Sequence, residues 1–229
     1  MDDKNIKRFF DHCSKVLGSK KLDNWDVYLV RDKSRQVACR KQQIEDYKEN
    51  VEVGYSIRIL DNKRLSFVYG NDLSSLEIDK KLEEAVNLNK LSPRDEELLM
   101  PAEVPGFDQS FEVDRSYDKI SVSEKQERLM SLERDIREQD KRITNVEHLG
   151  YSESCSDIYY KVKDSDVSFQ ENAYFGYEGE IIAEADGKME SGGGFSFKTG
   201  FNDIDLSKLG KDIADNALSM LNSSPVASG

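Results

Sequence analysis

The most constraining feature of the chain is a run of strict alternation. Val51, Val53, Tyr55, Ile57 and Ile59 are separated by Glu52, Gly54, Ser56 and Arg58. A period of two puts the apolar set on one face of a strand and the polar set on the other. Asp61-Asn62 breaks the pattern, and Leu65, Phe67 and Tyr69 follow it, which predicts two antiparallel strands joined by a short hairpin. A sheet with one apolar face needs a cover, and the flanking segments supply it. Before the strands, Ile6, Phe9, Phe10, Cys13, Val16 and Leu17 recur at helical steps, with Gly18 at the C-cap position. After them, Ile78, Leu82, Ala85 and Val86 do the same, behind Ser74 and Glu77 spaced as a capping box. Trp25, Val27 and Leu29 predict a further strand, as does the segment 36–47. Cys13 lies on the apolar stripe and reads as a small core residue.

The second half repeats this plan. Ser121 and Glu124 form another capping-box pattern, followed by Leu129, Leu132 and Ile136 at helical spacing. The charge run Glu133, Arg134, Asp135, Arg137, Glu138 and Lys141 reads as a solvated helix face. Strand patterns follow at 143–151, 158–162, 167–177 and 181–184, with turns at 163–166 and at Asp186-Gly187. Leu206, Leu209, Ile213, Ala217 and Met220 mark a last helix over 206–221. The predicted fold class is α+β: two consecutive helix–antiparallel sheet–helix units. Asn71-Asp72-Leu73-Ser74 and Asn202-Asp203-Ile204-Asp205 open the closing helices alike, which suggests a structural duplication; the plainer reading is that Asp and Ser start helices anywhere.

The expected organisation is an N-terminal α+β domain at 1–91, a connector at 92–118, a central α+β domain at 119–222, and a linker at 223–229. The connector carries Pro93, Pro101, Pro105 and Gly106 and has no periodicity. The tail reads as leading toward a C-terminal domain absent from this sequence.

The chain carries 33 Lys and Arg against 45 Asp and Glu among 229 residues, a net charge of −12. That balance disfavours nucleic-acid and anionic-membrane partners, which need clustered positive charge. No apolar run approaches the ~20 residues of a bilayer span. The N-terminus has no signal-peptide pattern, and the three widely spaced cysteines suggest a reducing, cytoplasmic setting rather than a disulfide framework.

No catalytic, cofactor-binding or metal-binding residue can be assigned from the sequence. A zinc site needs three or four converging ligands, usually with two close in sequence. The only histidines are His12 and His148, and there is no Cys-x-x-Cys or His-Glu-x-x-His. His148 and Cys155 flank a predicted strand, with no obvious source for further ligands. Gly192-Gly193-Gly194 lacks the Lys-Ser/Thr of a phosphate loop and precedes Phe195-Ser196-Phe197, which looks like a strand. The glycines therefore read as a bulge or a close backbone approach, with approach by a bound peptide as the functional alternative. Glu147, Glu184 and Glu190 lie on predicted strands with unassigned faces. Tyr159, Tyr160, Phe169, Tyr174, Phe175 and Tyr177 read as sheet packing.

Several segments in the same order resemble the TldD/PmbA family of metalloprotease-related proteins, and its PmbA/TldE branch most. They are Val53-Gly54-Tyr55-Ser56-Ile57-Arg58-Ile59, Asn71-Asp72-Leu73-Ser74 with Ala85, Asp140-Lys141-Arg142-Ile143-Thr144-Asn145-Val146-Glu147, Ile182 through Glu190, and Leu209-Gly210 with Ala214 and Ala217. Asp164-Ser165-Asp166-Val167 stands where the family often has Asn-Ser-x-Gly. The resemblance implies the N-terminal portion of a PmbA/TldE-like component of a cytoplasmic TldD/TldE-type metalloprotease. Such a component would shape a cleft for an unfolded or extended peptide and pair with a TldD-like subunit, in proteolysis or peptide maturation. It implies zinc only in that partner, whose branch carries a His-Glu-x-x-x-His helix. No ligand of that motif maps onto this chain, so no cofactor is expected in it. The alternative is a stand-alone, non-catalytic protein- or peptide-binding module.

Overall fold

The computed structural model describes residues 3–103 and 113–223; Pro105, Gly106 and the tail 224–229 lie outside them. The elements run α1 (Asp3–Gly18), β1 (Asn24–Arg40), β2 (Gln43–Asp61), β3 (Arg64–Gly70), α2 (Ser75–Leu91), α3 (Ser116–Lys119), α4 (Val122–Gln139), β4 (Ile143–Val162), β5 (Ser168–Ala185), β6 (Lys188–Lys198) and α5 (Leu206–Met220). The repeated order of helix, three strands and helix bears out the α+β reading. The strands hydrogen-bond in the order β3-β2-β1-β4-β5-β6. β2 pairs antiparallel with β3, setting Ile57 against Val68, and β5 pairs antiparallel with β6, setting Gly179 against Gly194.

The chain's contacts divide it into two compact units. The first comprises Met1–Asp32, Val51–Glu112 and Ser156–Glu171; the second comprises Lys33–Asn50, Val113–Cys155 and Asn172–Gly229. In the first, Phe9, Phe10 and Leu17 of α1 and Leu82 and Ala85 of α2 bury against Trp25, Val27, Leu29, Ile57 and Ile59. In the second, Leu129, Leu132 and Ile136 of α4 and Ile213, Ala214 and Ala217 of α5 bury against Leu149, Tyr151, Phe175 and Tyr177. Cys13 is buried in the first core, as its place on the stripe predicts.

Three local expectations change. The segments 25–30 and 36–47 are not separate strands, and neither are 143–151 and 158–162, which join in β4, nor 167–177 and 181–184, which join in β5. β1 runs unbroken to Arg40, and β2 begins at Gln43 after a two-residue turn in which Lys41 and Gln42 adopt φ of 53° and 59°. Their polar stretches stay extended because they are paired: the Arg31 Nε donates to Asp157 at 2.8 Å, and the Ser156 hydroxyl donates to Asp32 at 2.6 Å. On β3 the inward residues are Ser66 and Val68, while Phe67 and Tyr69 are exposed. Third, Glu133 is not on a solvated face: it is fully buried among the residues that close the β1–β2 turn.

The helix starts differ. Ser121 caps α4 by accepting from the Glu124 amide at 3.2 Å. Ser74 makes no such bond at α2; instead Asp72 accepts from the Ser74 amide at 2.8 Å. Asp140 ends α4 and accepts from the Arg142 amide and guanidinium, at 2.8 and 3.0 Å, and these bonds pull its carboxyl down to about 2. The Asp-Lys-Arg-Ile segment is thus the helix-to-strand turn between α4 and β4.

Candidate functional site

In the second unit, an edge strand with three consecutive glycines meets a helix. A Cβ on Gly192 would lie 2.3 Å from the Ala217 backbone nitrogen of α5, and one on Gly193 would lie 2.5 Å from the Gly179 carbonyl oxygen of β5. Only glycine allows backbones to come this close. The close-approach reading of Gly192–194 therefore holds, with α5 and β5 as the approaching groups. The side-chain amide of Asn216, also on α5, donates to the Gly193 carbonyl at 2.9 Å.

Beside these glycines opens a cavity of about 720 Å³. Gly193, Gly194 and Phe195 contribute from β6, Glu178 and Glu180 from β5, Asp212 and Asp215 from α5, and His148 from β4. The His148 Nε2 stands 3.5 Å from a Glu178 carboxylate oxygen. The Lys208 ammonium lies 2.6 Å from Asp212. Phe195 is 73% exposed. Together these make an open, carboxylate-rich groove with an apolar ring at its side.

A buried polar cluster lies elsewhere in the same unit. Glu153 accepts from the Lys125 ammonium at 2.8 Å, the Arg35 guanidinium at 3.2 Å and the Tyr151 hydroxyl at 2.7 Å. Lys125 and Glu153 are both buried. Arg35 lies 4.0 Å from the centroid of the Tyr117 ring, a cation–π distance. Burial, then the Glu153 charge, pushes the Tyr151 phenol well above its ordinary range. Glu153 is met by three donors, as in an ion cluster that specifies packing, while Arg35 also reaches the exposed Glu49. Glu133 is a second buried carboxylate. Burial pushes its pKa up, but bonds from the Gln42 amide, Cys39, the Lys41 amide and Arg137 outweigh this and hold it below the usual range. Cys39, 3.5 Å from Glu133, is pushed up to about 12 by burial first and that carboxylate second.

Sequence reasoning missed Lys125, Glu153 and Asp26. The signal for Lys125 was present: it falls four residues before Leu129 on the α4 stripe. Asp26 sits between Trp25 and Val27 of β1 and is buried against Arg58.

The metal donors do not converge. His148 and Cys155 lie seven residues apart on β4, roughly 23 Å along an extended strand. His12, in the first unit, contacts Asp79 at 2.7 Å. Among the described residues no group of three or more His, Cys, Asp or Glu is placed to hold a metal ion. Glu147 lies 3.8 Å from Arg40, and Glu184 and Glu190 are exposed or half-buried. Among the described residues no helix is long and apolar enough to cross a membrane.

Comparison with known proteins places this architecture. No curated protein matches the sequence. A Thermotoga maritima structure described as a candidate modulator of a DNA gyrase superposes with a TM-score of 0.83 at 16% identity, covering 98% of this chain and 50% of its own. A Bacteroides thetaiotaomicron structure of like description gives 0.85 at 15% identity, covering 100% of this chain and 52% of its own. TldE from Thermococcus kodakarensis gives 0.78 at 16%, covering 92% and 47%. The chain thus spans about half the length of these solved structures, and at such identities the likeness is one of fold. The model of PmbA/TldA metallopeptidase domain 1 matches residues 25–88, and that of the PmbA/TldA metallopeptidase central domain matches residues 115–221. With both family domains matched in order over most of its length, the chain belongs to the PmbA/TldA metallopeptidase family.

Proposed function

We propose that these residues act as the N-terminal portion of a PmbA/TldE-like component of a cytoplasmic TldD/TldE-type protease. In this reading they shape the cleft that receives an unfolded or extended peptide, in proteolysis or peptide maturation. They pair with a zinc-bearing TldD-like subunit, which supplies the metal chemistry. The observation that carries the reading is the match to both family domains in succession, supported by the shared fold with a TldE. The edge of β6, which ends the strand order, suits the role, because strand addition holds a peptide through main-chain hydrogen bonds without demanding a sequence.

The test is co-expression with a TldD-like subunit, followed by size exclusion and a peptide-cleavage assay. A co-eluting complex whose cleavage rate depends on this chain is the expected result. Separate elution together with no effect on cleavage would leave the stand-alone binding module as the better account.

A further inference from the structure

We propose that the outer edge of β6 accepts an extended peptide segment bearing Lys or Arg side chains, with the cavity beside Gly193 and Gly194 taking those side chains. The inference rests on the peptide-handling reading above and adds a place and a charge preference to it.

Four observations converge on this strand. β6 ends the strand order, so among the described residues no strand pairs with its outer edge. Gly193 and Gly194 carry no side chains that would hold an incoming backbone away and both are only half-buried, with Asn216 the side chain that an incoming strand would displace from the Gly193 carbonyl. The adjoining cavity, about 720 Å³, has room for long side chains. Its charge is one-sided: Glu178, Glu180, Asp212 and Asp215 line it, with no Lys or Arg in the lining. His148 faces Glu178 and Lys208 faces Asp212, but Glu180 and Asp215 have no ion-pair partner among the described residues.

Chemistry selects the occupant. An added strand directs alternate side chains to its two faces, about 7 Å apart on each, so basic residues can approach Glu178 and Glu180 on one face or Asp212 and Asp215 of α5 on the other. The exposed Phe195 ring offers a face to their aliphatic stems and cationic heads. An acidic segment would meet like charge along the same groove.

The test uses the 229-residue chain alone, so failure to bind peptide and failure to pair with a TldD-like subunit are separate results. Fluorescence anisotropy is read with a labelled peptide alternating Lys and Thr, its Glu/Thr counterpart, and a Lys/Thr peptide with alternate backbone amides methylated. Saturable binding of the Lys peptide is expected, weakening with salt. Both control peptides should bind about tenfold more weakly, the first through charge and the second through lost strand pairing. The Glu180→Gln/Asp215→Asn variant changes only cavity-lining side chains, and should keep its melting temperature while losing about fivefold in affinity. Binding that does not saturate, survives amide methylation, or is unmoved by the variant would mean adsorption to an acidic chain and overturn the proposal. So would a dimer in sedimentation velocity that Phe195→Lys dissociates, because the edge would then belong to a second copy.

Discussion

The two units hold a buried carboxylate by the same kind of grip, but with different access to water. In the first unit Asp26 on β1 accepts from the Arg58 Nε on β2 at 3.0 Å and from the Tyr160 hydroxyl on β4 at 2.7 Å. In the second, Glu153 on β4 accepts from Arg35 on β1, from the Tyr151 hydroxyl and from Lys125. The Arg58 side chain is 40% exposed, whereas that of Lys125 is 1% exposed. Water can replace a partner lost from the first cluster, but cannot easily do so in the second. A repeated order of elements therefore does not imply repeated energetics.

The largest expected effect tests that contrast. Lys125→Met leaves Glu153 buried with less compensation and should cost about 3–5 kcal/mol. Arg58→Met exposes Asp26 to solvent that can hydrate it, and should cost about 1–2 kcal/mol. Urea unfolding midpoints of the two variants compare them directly. Equal losses would show that burial of the cation does not set the difference.

The closing helices supply the next contrast. α2 meets β3 through side chains: the Ser66 hydroxyl donates to the Ala85 carbonyl at 2.8 Å, and the Asn89 amide donates to the Arg64 carbonyl at 2.6 Å. α5 meets β6 at glycine, backbone against backbone. Gly192→Ala must push the helix away and should cost about 2–3 kcal/mol. Ser66→Ala loses one buried hydrogen bond, about 1 kcal/mol. Thermal unfolding of both variants checks the order, and a harmless Gly192→Ala would mean that α5 can shift freely.

Turn closure sharpens the comparison through pH. The β1–β2 turn is held by buried Glu133, which accepts from the Lys41 and Gln42 amides at 2.8 and 2.6 Å. The β2–β3 turn, with Asn62 and Lys63 also at positive φ, is held by Asp23, an exposed carboxylate that accepts from the Asn62 amide at 2.8 Å. The Glu133 pKa is lowered by folding, so its contribution is present above the unfolded value and is lost as pH falls through the folded one. Stability should therefore decline on acidification below the ordinary glutamate range. Glu133→Gln should flatten that part of the profile and cost about 1–3 kcal/mol at neutral pH. Asp23→Asn should cost under about 1 kcal/mol. Urea titrations across that pH range read both.

The sequence displayed the periodic parts of this design and concealed the paired ones. Alternation from Tyr55 to Ile59 and the stripes on α1 and α4 follow from burial of one face, so the fold class and most turns could be read from them, although the same alternation carries on to Val51, which is exposed. Strand length could not, because residues such as Arg31 and Asp32 look like loop until their partners Asp157 and Ser156 are brought alongside. The faces of β3 could not either: at an edge, aromatic residues can point outward, as Phe67 and Tyr69 do. The groove was half legible. The glycine run marked a close approach, but its partner in α5 and the gathering of Glu180 with Asp215 depend on tertiary packing.

The smallest effect separates the exposed aromatic pairs on the two edge strands. Phe67 and Tyr69 have ring centroids 6.0 Å apart on β3; Phe195 and Phe197 are 5.9 Å apart on β6. All four are at least half exposed or close to it, so single truncations should shift stability by only about 0.5 kcal/mol. Yet the partners beneath them differ. Phe67 sits opposite Arg58, while Phe197 sits opposite Gly176, where an added Cβ would fall 2.1 Å from the ring. The Phe197 ring thus covers a glycine backbone that has no side chain of its own. Gly176→Ala should be destabilising in the native chain, because the ring must leave, and nearly neutral once Phe197→Ala has removed it. The double-mutant cycle should give a coupling of about 0.5–1 kcal/mol for Gly176 with Phe197. A cycle that closes to zero would mean the ring already moves freely, and the two aromatic edges would then be equivalent.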